Sequence, residues 1–282
     1  MKPYFSIILP VFNRSSSIEV ALDSVKRQNH SLEIIIVDDS TDNTPDIVEK
    51  YINNNSDSEM RFCHIQPNIR RGPSAARNIG INNAKGEVIV FFDSDDELLP
   101  GALDDIKRAF ESNDKISIYL GKIKRKSGLT FKSDFYSSVT YGGYIDYIKT
   151  FHKQGEVLPA VRSYDLKKRG GGFYEELSGF ENLLYLKILK NGGSFYRGLK
   201  PIRLYDDLGK DRLSISNTQN VKNMRDGYLM MMRIHGFNYL IYSQINFLET
   251  LFKMIIYNRL VKRNKYWTIG NIVGIILLPL PN

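Results

Sequence analysis

The chain is 282 residues long, with 42% hydrophobic and 25% charged residues. This ordinary globular balance builds a sizeable core, in one large α/β domain or a domain with an appendage. Its single cysteine, Cys63, excludes an internal disulfide and suits a reduced, cytosolic setting, and four scattered histidines exclude a zinc-type cluster.

The net charge of +8 is unevenly spread: residues 1–110 hold 12 Lys and Arg against 17 Asp and Glu, residues 111–227 hold 21 against 13, and residues 228–282 hold 6 against 1. An acidic front with a basic back points to a metal-binding half and a half that faces anions such as phospholipid, nucleic acid or a phosphorylated acceptor.

In chain order, MKPYFSIILPVF lacks the pattern of a signal peptide, because Pro10 interrupts its short apolar run and no small-residue cleavage site follows. Residues 5–12 read as a buried first strand. Residues 16–28 space Ile18, Ala21, Leu22 and Val25 as a helix, with Ser16 or Ser17 as cap. LEIIIVDDS (32–40) is the second strand, and residues 41–54, opened by polar caps and Pro45, the second helix. Residues 60–66 alternate as a third strand. Residues 72–86 read as a helix closed by Gly86, and EVIVFFDSDD (87–96) as a fourth strand. This alternation predicts a mostly parallel, doubly wound central sheet flanked by helices. Further on, residues 123–135 read as a basic loop or short hairpin, 167–172 as a turn, 179–193 as an amphipathic helix ended by Gly192, and 221–261 as helical. The expected organisation is 1–110 and 111–220 as two halves of one catalytic domain, then a helical, basic and apolar extension over 221–282.

The chemistry gathers where strands end. In an open parallel sheet, ligands sit outside the carboxyl ends of the strands. Two strands here end in acids, at Asp38–Asp39 and at Asp93–Asp96. In an extended segment residues i and i+2 point the same way, so Asp93 and Asp95 share one side while Ser94 and Asp96 face the other. Two carboxylates converging within about 5 Å raise each other's pKa unless a cation relieves them. Oxygen-only ligands favour Mg²⁺ or Mn²⁺, which complete their shells with water and substrate phosphates.

The segments SIILPVFNR, IIIVDDSTDNT, GPSAARNIGINNAKGEVIVFFDSDD and GFENLLYLKILKNGG together resemble the family 2 nucleotide-sugar glycosyltransferases, inverting enzymes of the GT-A fold. The likeness is close over residues 4–110 and loose over 155–216. It implies that the backbone at Pro10 and Val11 lines a nucleoside pocket and that Asp39 accepts the uracil N–H. It implies that Arg77 contacts the donor, and that Asp93, Ser94 and Asp95 bind the sugar nucleotide, with Asp95 and Asp93 holding the metal. Asp96 stands behind them. It makes Glu181 the base that deprotonates the acceptor hydroxyl, with Glu175 and Glu176 in reserve, at a position where the family shows Asp. Arg212 or Arg203 neutralises the departing diphosphate. The implied partners are a UDP-sugar, a glycan or lipid-linked acceptor of surface polysaccharide synthesis, and Mn²⁺ or Mg²⁺, with no nucleic acid.

The tail pairs a basic cluster (Arg259, Lys262, Arg263, Lys265) with Tyr266, Trp267 and an apolar run to Leu280. At 15 residues that run falls short of the roughly 20 that a span requires. It predicts peripheral contact with the inner face of the plasma membrane. Two alternatives stand beside this reading: an aspartate-nucleophile phosphatase, suggested by VFFDSDDEL, and a non-catalytic nucleotide-sugar or nucleic-acid binding module.

Overall fold

The computed structural model describes residues 2–55, 60–67, 72–129, 139–150, 155–177, 179–208 and 218–262. β1 (Phe5–Val11) and β2 (Leu32–Asp38) are runs of apolar residues that only a doubly covered strand can hide. They pair in parallel, from Phe5 opposite Leu32 to Val11 opposite Asp38. β3 (Met60–Ile65) extends this block beyond β2, and β4 (Val88–Phe91) adds to the other side of β1, all parallel. The side chains alternate between two cores. Phe5, Ile7, Leu9 and Val11 pack against α1 (Ile18–Lys26), α2 (Thr44–Asn55) and α4 (Ala102–Ser112). Ile8, Ile35 and Val37 pack on the opposite face, against α3 (Pro73–Asn83) and α7 (Asn182–Lys190).

The remaining strands are β5 (Glu97–Leu98), β6 (Ile116–Arg125), β7 (Tyr141–Gly142), β8 (Leu158–Arg162) and β9 (Ser194–Tyr205). The sheet order is β3-β2-β1-β4-β8-β6-β9-β5, with β7 on β9. The parallel prediction holds for the first four strands; beyond them β8 runs antiparallel to both β4 and β6, and β9 is antiparallel to β5 and β7. β8 is pinned there by Arg162, whose guanidinium donates to the Phe110 and Ile116 carbonyls and lies over the Phe110 ring. Both predicted halves contribute strands to this one sheet.

Several boundaries differ from expectation, each for a physical reason. β4 stops at Phe91 rather than Asp96: after the Phe92 amide donates to Ile8, the chain turns and Asp96 N–H donates back to the Asp93 carbonyl. The alternation argument for Asp93 and Asp95 therefore does not apply. α3 ends at Asn83, with Ala84 already extended, so Gly86 is not its terminator. Gly86 is small because a Cβ there would lie 2.6 Å from the Ser6 backbone nitrogen. Its amide donates to the Ser6 hydroxyl, which donates to the buried Glu33 carboxylate at 2.5 Å, and the same carboxylate oxygen accepts from Lys85 N–H. Residues 123–125 continue β6, and 130–138 lie outside the described residues. The turn expected at 167–172 is α6 (Ser163–Asp165) running into a π-helical turn over Leu166–Gly170, closed by Gly171 at φ +86°. Gly192, also at φ +86°, closes the turn after α7, as its sequence position suggested.

α5 (Tyr144–Thr150) packs against α8 (Thr218–Tyr242), which turns at Ser243 into α9 (Gln244–Lys262). Residues 263–282, including the tail segment from Tyr266 to Leu280, lie outside the described residues, and no described helix is long and apolar enough to cross a membrane.

Gly86→Ala is expected to cost about 1–3 kcal/mol through overpacking against β1. Urea unfolding of the variant against wild type measures it.

Candidate active site

Three loops meet at the carboxyl ends of β1, β2 and β4. Asp39 N–H donates to the Val11 carbonyl at 3.0 Å, which places Asp39 beside Val11 and half-buried Pro10. The loops are tied further by Asn13, whose N–H donates to the Ser40 hydroxyl and whose side-chain oxygen accepts from Thr41 N–H. Asn13 takes the left-handed conformation, φ +51°, one that Asn tolerates better than most side chains. Asp38 is buried and turned away from this pocket: one oxygen accepts from Ser40 N–H and the other faces His64 Nε2 at 3.3 Å.

The acidic turn is held by arginines. Asp93 lies between two guanidinium groups, with Oδ1 accepting from Arg77 at 2.9 Å and Oδ2 from Arg203 at 3.0 Å. Arg203 reaches in from β9, is almost fully buried, and also donates to the Val157 carbonyl. Its Nη2 stands 2.5 Å from Asp96 Oδ2, an ion pair without an aligned hydrogen bond. Asp96 itself is 1% exposed, and its Oδ1 accepts from Asp206 N–H at 2.7 Å. Asp95 and Asp93 are half-buried alike, with side chains 38% and 37% exposed, and Asp95 accepts from Arg14 at 3.3 Å. Glu97 pairs with Lys126 at 3.2 Å. Ser94 is buried, and its carbonyl accepts from the Ser17 hydroxyl.

These neighbours set the proton affinities. Burial alone pushes the Asp93 carboxyl up, but Arg203 and Arg77 together outweigh it and hold Asp93 below the usual carboxylate range. Burial, with Asp93 nearby, pushes Asp95 up. Asp96 is pushed up to about 7 by burial, which Arg203 offsets only in part and to which the Asp93 charge adds.

Arg77 joins this turn to α7. Its Nη2 serves Asp93 and its Nη1 donates to Glu181 Oε1 at 3.0 Å, with Phe173 beneath the guanidinium. Glu181 stands at the N-terminal cap of α7 with its side chain 29% exposed. Glu175 accepts from the Asn78 amide, and Glu176 is exposed. The residues singled out in sequence at 39, 77, 93, 95 and 181 thus lie on loops and helix ends around the same end of the sheet. Arg212 lies outside the described residues. Arg203 braces the acidic turn through two contacts, to Asp93 and Asp96, and is itself held by the Val157 carbonyl. Arg14 went unassigned in the sequence; only its partner Asp95, 81 positions away, gives it meaning.

A divalent cation fits one position here. Among the described residues no cluster of three or more His, Cys, Asp and Glu is arranged to hold a metal. Mg²⁺ and Mn²⁺, however, are commonly held by one or two carboxylates with substrate phosphates completing the shell. Asp95 pairs with the single guanidinium of Arg14, whereas both Asp93 oxygens are taken by the guanidinium groups of Arg77 and Arg203.

The family model described as "Glycosyl transferase family 2" matches residues 6–163, more than half of the chain, and the chain belongs to that family. It is an enzyme, a glycosyltransferase, with a mixed α/β fold of the GT-A type; the phosphatase and binding-module alternatives fall with that membership. A GalNAc(5)-diNAcBac-PP-undecaprenol beta-1,3-glucosyltransferase of Campylobacter jejuni is 29% identical over 248 residues, covering 82% of this chain and 74% of the relative. The poly(ribitol-phosphate) beta-N-acetylglucosaminyltransferase TarS of Staphylococcus aureus is 34% identical over 128 residues, 44% of this chain and 22% of the relative. Among solved structures, S. aureus TarS 1-349 in complex with UDP-GlcNAc superposes with a TM-score of 0.68 at 22% identity, over 90% of this chain and 71% of that one. The mannosyltransferase PcManGT from Pyrobaculum calidifontis, in complex with GDP-Man and Mn²⁺, gives 0.64 at 18% identity, over 97% and 79%.

Arg203→Met leaves two buried carboxylates short of a cation and is expected to cost about 3–5 kcal/mol of stability, measurable by urea unfolding. Asp96 gives a pH signature of defined sign. Its folded value lies above the ordinary carboxylate value, so its contribution to stability is complete below the ordinary value and is lost as pH rises through about 7. Melting temperature against pH is therefore expected to fall more steeply toward neutrality in wild type than in Asp96→Asn.

Proposed function

We propose that this chain is an inverting glycosyltransferase that moves a sugar from a UDP-sugar to a hydroxyl of a glycan or lipid-linked acceptor. The carrying observation is the ion-pair line Asp93–Arg77–Glu181, with half-buried Asp95 two residues beyond Asp93 at one end and Glu181 at the other. Two carboxylates with different surroundings suit two different tasks.

In this reading residues 1–110 bind the donor, 111–220 the acceptor, and 221–282 form the extension. Pro10 and Val11 line the nucleoside pocket, where Asp39 accepts the imide N–H of the base in a charge-assisted hydrogen bond. Asp95 is the residue that holds Mg²⁺ or Mn²⁺. Asp93 is bound to its arginines and keeps the turn in shape. A bound divalent ion supplies positive charge for the departing diphosphate. Ser94 and Arg212 remain assigned to the donor side.

Glu181 is the base. Arg77 occupies its Oε1, which orients the carboxylate and leaves Oε2 to take the acceptor proton as the hydroxyl attacks. Attack and departure on opposite faces of the sugar invert the anomeric centre. The acceptors named for the C. jejuni and S. aureus relatives, a PP-undecaprenol-linked glycan and poly(ribitol phosphate), support a role in surface-polysaccharide assembly. They also support work at the inner face of the plasma membrane.

The test is a donor screen over UDP-, GDP- and dTDP-sugars with and without Mn²⁺, followed by two variants. Glu181→Gln is expected to lower transfer by about 10²–10⁴-fold, the range for a lost general base, while UDP binding by calorimetry is unchanged. Asp95→Ala is expected to abolish metal-assisted binding of the sugar nucleotide in the same calorimeter. Full transfer by Glu181→Gln removes that residue from the role.

A further inference from the structure

The α8–α9 hairpin packs around Met232 and Met254, yet it also buries polar side chains and exposes large apolar ones. The buried side chains of α9 include Asn246, Thr250 and Asn258, and Ser243 at the bend is buried as well. The Asn246 amide donates to the Ile148 carbonyl and to the Ser243 hydroxyl. Large apolar side chains are turned outward near the bend: Phe237, Leu240 and Ile241 on α8, then Ile245, Leu248 and Phe252 on α9. Phe237 and Phe252 are each 65% exposed. A helix facing water shows the reverse arrangement, and a contiguous apolar patch of this kind marks an interaction surface.

Charge identifies what the patch meets. No Asp, Glu, Lys or Arg occurs between Arg233 and Glu249, so the bend lies in the middle of an uncharged run. Arg233 and Lys253, both exposed, each stand ten residues from Ser243 on opposite arms. At 1.5 Å per residue both cations sit about 15 Å behind the bend, at one height. Glu249, six residues from the bend, sets a limit near 9 Å for uncharged burial on that arm, which matches the roughly 5–10 Å to which interfacial helices sink. Residues 218–262 as a whole hold six Lys and Arg against two acids. Such a face repels a second copy of itself and attracts phosphate headgroups.

We propose that the tip of the α8–α9 hairpin is a shallow docking element for an anionic lipid surface. This deepens the reading of a membrane-held acceptor given above, and it is separate from the tail, since α9 ends 19 residues beyond the bend. Arg233 stands behind the apolar tip for the headgroup layer, and Lys253, at the same height, holds its ammonium over the Tyr228 ring.

The test is flotation of the full-length chain with vesicles of phosphatidylglycerol and phosphatidylcholine, against phosphatidylcholine alone, with no donor or acceptor present. Wild type is expected to float with the anionic vesicles. The triple variant Phe237→Ser/Leu240→Ser/Leu248→Ser is expected to lose at least about tenfold in partitioning; the pair Ile241→Ser/Ile245→Ser serves should the triple variant fail to fold. Arg233→Gln/Lys253→Gln is expected to weaken binding to anionic vesicles only. Leu199→Ser, exposed on β9 away from the hairpin, is expected to float as wild type does. Undiminished flotation of the tip variants overturns the proposal, as does a wild type that binds no vesicle. A wild-type dimer made monomeric by the tip variants overturns it in favour of a second copy. Vesicle binding needs no sugar nucleotide, so an absence of transfer in any assay bears on the functional reading alone.

Discussion

Two buried guanidinium groups hold the acidic turn after β4 in place. Without them, Asp93, Asp95, Asp96 and Glu97 would be four carboxylates within five residues at the end of a hydrophobic strand. Arg203 spans Asp93 and Asp96, and Arg77 spans Asp93 and Glu181. A bidentate, permanently charged group suits this task where lysine would not, because its several donors serve two carboxylates at once. Neither ion pair is a gain in stability by itself, since burying charge costs about as much as pairing returns. What the arrangement provides is a fixed geometry for a turn that sequence alone leaves undetermined.

That geometry depends on the sheet. β9 lies between β6 and β5 and delivers Arg203 from a position 110 residues beyond Asp93. α3 packs on β1 and β2 and delivers Arg77. The hydrogen-bond network of Ser6, Glu33 and Gly86 lets the chain after α3 approach β1 closely and start β4 in register. The fold positions the site through backbone closeness on one edge and through charge on the other.

Much of this was legible in the sequence. The apolar runs of β1, β2 and β4 and the helical spacing of α1 and α7 announce themselves through burial periodicity. The acids at the strand ends mark the site because residues of that type have few other reasons to cluster there. The antiparallel insertion of β8 was not legible, since a short buried strand reads the same in either direction. The end of β4 was misplaced because acids that seemed to continue the strand are held by Arg203 and Arg77, and no local pattern shows a partner a hundred residues away. Arg14 was passed over for the same reason. Gly86 was taken for a helix terminator when its smallness answers to β1.

The sharing of Arg77 has a consequence for how this site can change. Asp93 and Glu181 are 88 residues apart in the chain, yet each leans on a different nitrogen of the same side chain. The two carboxylates act through one side chain, so effects of paired substitutions among the three positions will not sum.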